Sequence, residues 1–178
     1  MKIIWYNVFR IYYSIKARLK KNQSIYFKRQ VELSCKSFIA PLRVNGPTYV
    51  SKHTTLGENV SFNGMDIGGA GKVKIGDNFH SGVGCKILTQ IHNYEGRALP
   101  YDDEIIAKDT IIGDNVWFGD DVTVLGGIII GNGAIIQAGS VVVSSIPDYG
   151  IAGGHPAKVF KSRNIEHYNK LLEEKKFH

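Results

Sequence analysis

The chain has 178 residues, of which 43% are hydrophobic and 21% are charged, and its formal net charge is +6 at pH 7. This length suits a single domain, and the composition excludes an intrinsically disordered protein, which would carry fewer apolar and more charged residues. The two cysteines, Cys35 and Cys85, have no paired spacing, so they predict neither a disulfide framework nor a zinc site and favour a reducing compartment.

The positive charge is concentrated at the two ends of the chain, in the first thirty and the last twenty-one residues. Basic ends can meet phosphate groups of lipids, cofactors or nucleic acids, or can simply be solvated. Because the aromatic-interleaved motifs of nucleic-acid-binding proteins are absent, we expect no nucleic-acid partner.

Residues 1–30 predict a basic amphipathic helix. Its apolar positions recur at helical spacing, while most of the basic residues lie off this stripe: Ile4, Val8, Ile11, Tyr12, Ile15 and Leu19. The segment is too polar and too short to cross a bilayer, and no cleavage site of a signal peptide follows it. Two interpretations stay open: the helix packs on the protein or on a sister subunit, or residues 1–21 contact anionic lipid as a peripheral helix.

Residues 31–156 predict an all-β solenoid. Apolar residues recur every six positions, with a shift of register between Phe62 and Ile75, and Ile106 rejoins the later phase. The repeat comprises Val44, Val50, Leu56, Phe62, Ile75, Ile87, Ile112, Phe118, Val124, Ile130, Ile136 and Val142. A period of six is typical of a parallel β-helix, in which each short strand forms one side of a triangular prism. Gly, Asn and Asp between the strands tolerate the backbone angles of tight corners.

The segment "ILTQIHNYEGRALPYDD" interrupts this rhythm, and a loop extruded from the coil is expected near residues 88–105. Loops that interrupt a repeat in this way often line a functional site.

Residues 157–178 predict a C-terminal helical cap, because the last coil would otherwise expose apolar side chains and unpaired strand edges. Ile165, Tyr168, Leu171 and Leu172 are spaced as one helix face.

The stretches "IIGDNVWFGDDVTVLGGIIIGNGAIIQAGSVV" and "IAGGHPAKVFKSR" resemble the hexapeptide-repeat acyltransferases, in particular the branch that acetylates sugars. The resemblance covers roughly residues 44–163. It implies a left-handed parallel β-helix, acetyl-CoA as donor, no metal, and a homotrimer with active sites between subunits. It also implies a cytoplasmic enzyme that transfers an acetyl group to a hydroxyl of a saccharide, as in surface-polysaccharide biosynthesis.

By this resemblance His92 matches the catalytic histidine that precedes "IGDNVW". An imidazole suits the role because a base with a pKa near neutrality can take the acceptor hydroxyl proton as the oxygen attacks the thioester. Glu95, Asp102, Asp103 or a backbone carbonyl could orient the ring. Cys85 occupies a small repeat position and is expected in the core rather than as a nucleophile.

The resemblance also implies a donor site and an acceptor site. The donor site comprises Gly119, Asp120, Ala138, Val143, Ser144, Lys158 and Lys161, with the lysines expected to meet phosphates. The acceptor site would include Asn63, Asp66 and Trp117, each of which could instead serve a turn, the surface or a subunit interface.

Alternative functions remain at this point. The acceptor could be an amino sugar, serine or an antibiotic, and the solenoid could be a scaffold without catalysis. A zinc-dependent carbonic anhydrase on a similar fold would need three converging histidines, and the close histidine pair of that family is absent here.

Overall fold

The computed structural model describes residues 2–178, and side chains from Tyr12 onward. The chain begins with α1 (Lys2–Ser34) and then forms a parallel β-solenoid of about six coils. The predicted solenoid with a helix at each end is therefore confirmed. Within the predicted stripe of α1, the side chains of Ile4, Val8 and Ile11 lie outside the described residues.

Each coil contributes a strand to three sheets, A, B and C, in turn. Sheet A contains β1 (Ser37–Phe38), β4 (Thr54–Leu56), β7 (Val73–Ile75), β12 (Thr110–Ile112) and β15 (Ile129–Ile130). Sheet B contains β2 (Leu42–Val44), β5 (Val60–Phe62), β8 (His80–Ser81), β13 (Trp117–Phe118), β16 (Ile135–Ile136), β18 (Gly150–Gly154) and β19 (Ala157–Ser162). Sheet C contains β3 (Thr48–Val50), β6 (Met65–Gly68), β9 (Cys85–Leu88), β14 (Thr123–Leu125) and β17 (Val141–Val142).

The six-residue repeat forms the interior of the prism. In sheet A, for example, Leu56, Ile75, Ile112 and Ile130 are in register on successive coils, and each is no more than 1% exposed. Every other member of the predicted ladder from Val44 to Val142 is also buried. The shift of register arises on both sides of β6: Ile67 follows Phe62 by five residues (67 − 62), and Ile75 follows Ile67 by eight (75 − 67), because residues 69–72 add a longer corner before β7.

Ile106 departs from the prediction. It does not rejoin the inner ladder but lies in an antiparallel hairpin between β10 (Gln90–His92) and β11 (Ile105–Ala107), where it pairs with Ile91 and is partly exposed. Ile106 precedes Ile112 by six positions because the hairpin happens to return to the prism in step with the repeat.

The corner between sheets A and B is built from polar ladders. The side-chain amide of Asn59 donates to Asn78 at 2.9 Å, Asn78 donates to Asn115 at 3.0 Å, and Asn115 donates to the hydroxyl of Tyr168 at 2.8 Å. All three asparagines have a positive φ, between 54° and 57°, a conformation that asparagine tolerates better than most residues.

The end of the solenoid is closed by a strand and a helix. Residues 157–162 form β19, antiparallel to β18, instead of the helix expected there, because an unpaired β18 would leave its backbone groups without partners. The helix α2 (Ile165–Glu173) follows, and the side chain of its N-cap Asn164 accepts from the His167 amide. Through Tyr168, α2 contacts the corner between sheets A and B.

Candidate active site

His92 ends the outgoing strand of the extruded hairpin, opposite Ile105. The hairpin leaves the prism after β9 of sheet C and returns before β12 of sheet A. Its base is held by Thr89, which is fully buried and whose hydroxyl donates to the Gly68 carbonyl at 2.8 Å. The Lys108 amide in turn donates to the Thr89 carbonyl at 2.8 Å. Hydrogen bonds on both strands therefore fix the base of the segment that presents His92.

The imidazole of His92 is exposed and stacks on the ring of Tyr101, with the ring centroids 3.9 Å apart and the planes 14° from parallel. Tyr101 is a contact that sequence reasoning missed, since no periodicity links two residues nine positions apart in an irregular loop. The stack restricts the orientation of the imidazole while leaving its ring edge open to solvent.

Of the acidic residues considered as partners of His92, Asp102 instead organises the loop. Its carboxylate accepts from the amides of Arg97 at 3.1 Å and Glu104 at 3.0 Å, and a Cβ on Gly96 would lie 1.9 Å from one of its oxygens. Asn93, next to His92, donates its side-chain amide to the Glu104 carboxylate at 3.0 Å. Both acids thus serve as acceptors for the loop itself.

Cys85 lies in the core, as expected. It is 1% exposed, and its thiol contacts the Gly119 carbonyl at 3.2 Å. Burial raises the pKa of the Cys85 thiol to about 11, so the thiol is protonated at neutral pH and is a poor nucleophile.

The residues predicted for the donor site come together in part. Gly119, Asp120 and Ala138 lie at the corner between sheets B and C, where a Cβ on Gly119 would come within 2.5 Å of the Ala138 nitrogen. The Asp120 carboxylate accepts from the Val83 amide at 2.8 Å, and the Asp120 carbonyl accepts from the Gly139 amide at 2.8 Å. This corner is consequently a tight stack of small residues.

The remaining donor-site residues lie near the capped end of the solenoid. Val143 and Ser144 directly follow β17, and Lys158 and Lys161 are on β19, opposite Gly153 and Ile151. All four residues are exposed. The positively charged side chains of the two lysines therefore lie on the surface of one strand.

Of the three residues predicted for the acceptor site, Asn63 and Trp117 both neighbour His80, and Asp66 lies apart on sheet C. The Asn63 amide is used at both ends, because it accepts from Asn45 at 3.0 Å and donates to the Ser81 carbonyl at 3.0 Å. Asp66 lies exposed on the outer face of sheet C. Trp117 lies on the outer face of sheet B, in register with His80 and 50% exposed.

A cavity of about 690 Å³ lies between the outer face of sheet B and the C-terminal segment. Trp117 and His80 form part of its floor, and its lining carries no Asp or Glu side chain; its cationic groups are Arg43, Arg163 and Lys176. Sequence reasoning did not assign Arg43 to a site, although its register below Ser61 on sheet B follows from the repeat. Burial, followed by the charge of the neighbouring His178, lowers the pKa of His80 and favours its neutral form.

The hairpin that carries His92 and the donor residues Gly119, Asp120 and Ala138 occupy different corners of the prism. The hairpin leaves at the corner between sheets C and A, where a Cβ on Gly126 would lie 2.4 Å from Lys108 at the hairpin base. Gly119 and Ala138 lie at the preceding corner, with strand β14 of sheet C between the two corners. A single copy of the chain therefore does not bring His92 onto the corner of Gly119, Asp120 and Ala138, whereas Val143 and Ser144 follow β17 on the same corner as the hairpin.

Comparisons with known proteins agree with this architecture. The family model of bacterial transferase hexapeptide repeats (six repeats) matches residues 109–144. A galactoside acetyltransferase in complex with coenzyme A is 27% identical, with a TM-score of 0.64 over 74% of this chain and 67% of that one. No curated protein sequence matches the chain.

Two further acetyltransferase structures are similar. A maltose O-acetyltransferase from Clostridium difficile is 29% identical, with a TM-score of 0.50 over 71% of this chain and 65% of that one. A hexapeptide-repeat acetyltransferase from Vibrio cholerae is also 29% identical, with a TM-score of 0.53 over 84% of this chain and 89% of that one. The inner ladder, the matching repeat model and these similarities support the resemblance of the chain to the hexapeptide-repeat acyltransferases.

Proposed function

We propose that this protein is an acetyl-CoA-dependent O-acetyltransferase that acts on a hydroxyl of a saccharide or of a surface-glycan intermediate. The observation that carries the proposal is His92, an exposed imidazole presented by a hairpin that interrupts an otherwise regular solenoid. The similarity to galactoside and maltose acetyltransferases, one of them with coenzyme A bound, supports both the acceptor class and the donor.

In this proposal the acetyl group passes directly from coenzyme A to the acceptor, and His92 acts as the general base. The imidazole takes the proton of the acceptor hydroxyl, the oxygen forms a C–O bond with the acetyl carbon, and the C–S bond of the thioester breaks. The proton on His92 then passes to the departing thiolate, so coenzyme A leaves as its thiol. Backbone N–H groups stabilise the oxyanion, and the buried, protonated Cys85 argues against a covalent thioester on the enzyme.

The donor would lie along the corner between sheets B and C. Gly119, Asp120 and Ala138 offer backbone groups there, and a Cβ on neighbouring Gly139 would find no heavy atom within 4 Å, so the surface at Gly139 is open. At the capped end, the exposed Lys158 and Lys161 supply positive charge for the phosphates. Val143 and Ser144 would border the adenine end.

We further propose that the enzyme is a homotrimer with active sites between subunits. The separation of His92 from the donor corner supports this assembly, since a neighbouring copy can supply the missing half of each site. Asn63, Asp66 and Trp117 would border the acceptor, with Trp117 offering an indole face to a sugar ring.

We place the reaction in the cytoplasm, at the inner face of the membrane, where a lipid-linked or nucleotide-linked glycan intermediate would be available as acceptor. The basic residues at the start of the chain support contact with such a surface.

The test is a coenzyme A release assay with a panel of saccharide acceptors. We expect His92→Ala to lower kcat by roughly 10²–10⁴-fold, which is the usual contribution of a general base. His167→Ala, at an exposed position on α2, is the matched control and should retain wild-type activity. Wild-type turnover by His92→Ala would refute the assigned base.

Mixing two inactive variants tests the shared site. Co-refolding His92→Ala with a Lys158→Ala/Lys161→Ala variant should restore part of the activity if each site takes His92 from one copy and the lysines from another. Recovery of no activity, with mixed trimers demonstrated, would place both halves of the site on one chain.

A further inference from the structure

Within the described side chains, the helix α1 is free of the solenoid from Tyr12 to Gln23. It spans 33 residues, or about 50 Å at the usual rise per residue. Its packing on the solenoid involves its C-terminal part, where Val31 is fully buried, Phe27 packs against the core and the Ser24 hydroxyl donates to the Val44 carbonyl. Every residue from Tyr12 to Gln23 is exposed.

Large apolar side chains run along one exposed face of α1. They are separated by three, four, seven and seven residues, so they form one stripe: Tyr12, Ile15, Leu19, Tyr26 and Leu33. Each of the five is 55–66% exposed. Phe27 and Val31, which pack on the solenoid, lie about 120° around the helix from this stripe, so the stripe points away from the core.

The helix carries a strong positive charge. Every charged residue before Glu32 is basic: Lys2, Arg10, Lys16, Arg18, Lys20, Lys21, Lys28 and Arg29. Among the residues that the structure describes, the ion pairs of α1 involve Lys28 and Arg29, both with Glu32. No described helix is long and apolar enough to cross a membrane.

We propose that α1 binds the surface of an anionic phospholipid bilayer, with the Tyr12–Leu33 stripe inserted at the level of the headgroups. An apolar face beside cations, with no acid over thirty residues, has the chemistry of an interfacial helix. A second copy of α1 fits this face less well, because parallel copies would bring like charges together without intervening acids. The solenoid would then be attached on a different side of the helix from the membrane.

Vesicle co-sedimentation tests the proposal with the full-length protein. We expect binding to vesicles of phosphatidylglycerol and phosphatidylcholine in equal parts, and little binding to phosphatidylcholine alone. Raising the salt concentration to 1 M should release the protein, since the Debye length falls to about 3 Å. Equal binding to both vesicle types, or no binding to either, would overturn the proposal.

Two variants separate charge from apolar contact. Lys16→Gln/Arg18→Gln/Lys20→Gln should weaken binding about five-fold for each charge removed. Ile15→Asn/Leu19→Asn should weaken it at least about ten-fold, since both side chains would lose apolar burial in the bilayer. These positions are exposed, so circular dichroism should show an unchanged fold.

A matched control carries the same kind of substitution on the exposed surface of the solenoid and α2: Lys52→Gln/Lys86→Gln/Lys170→Gln. It should bind anionic vesicles like the wild type. If it loses as much binding as the α1 charge variant, net charge rather than α1 governs adsorption. If Ile15→Asn/Leu19→Asn changes the oligomeric mass but not vesicle binding, the stripe is a subunit interface. Either result contradicts the proposal.

Discussion

At the scale of single residues, exposure distinguishes His92 from His80. His92 is exposed and stacked on Tyr101, whereas His80 lies in a strand with its imidazole 3.2 Å from the Asn63 amide. The structure places His92 on the extruded hairpin, and its role as the base stays a prediction. Its stack with Tyr101 depends on how an irregular loop closes, which residue types and spacing do not determine.

The lowered pKa of His80 predicts a pH dependence of stability. In the unfolded chain a histidine titrates near pH 6.5, while burial and His178 hold the folded pKa of His80 below the ordinary value. As pH falls below about 6.5, the unfolded state binds the proton first, so the free energy of unfolding decreases.

Urea unfolding at pH 8 and at pH 5.5 measures this effect. His80→Gln should lose less stability than the wild type between these pH values, and the exposed His167→Gln should behave like the wild type. An identical loss in the wild type and His80→Gln would show that His80 does not contribute.

At the scale of elements, the period of six predicts the strands well because each inner position is buried by its equivalents on the adjacent coils. The same regularity fails for Ile106, since an antiparallel hairpin can return to the prism in phase with the repeat. The prediction of a helix fails for residues 157–162, which have a helix-like composition but pair with the open edge of β18. In both segments the structure depends on pairing with a distant strand, which the local sequence pattern does not predict.

Adjacent isoleucines on β15 test the inner ladder. Ile130 is fully buried and Ile129 is 54% exposed. We expect Ile130→Ala to lower the free energy of unfolding by about 2–5 kcal/mol through lost burial and a cavity. Ile129→Ala, on the opposite face of the same strand, should cost no more than about 0.5 kcal/mol. Denaturant titration of both variants measures the difference, and equal costs would contradict the assigned register.

At the scale of the whole molecule, the solenoid places the candidate site residues on separate parts of its surface. The hairpin with His92 leaves one corner, the small residues Gly119 and Ala138 line another, and the lysines of β19 lie at the capped end. The sequence predicts each of these groups through the family resemblance, but their distribution over corners becomes visible only when the coils are stacked. That distribution is the reason we propose a shared site between copies.

Calorimetric titration of acetyl-CoA into the purified protein tests the central claim most directly, because the donor can be examined before the acceptor is known. We predict saturable binding that His92→Ala preserves and Lys158→Ala/Lys161→Ala weakens, since the imidazole acts on the acceptor and the lysines hold the phosphates. No heat of binding from the folded wild-type protein would contradict the assignment of acetyl-CoA as donor.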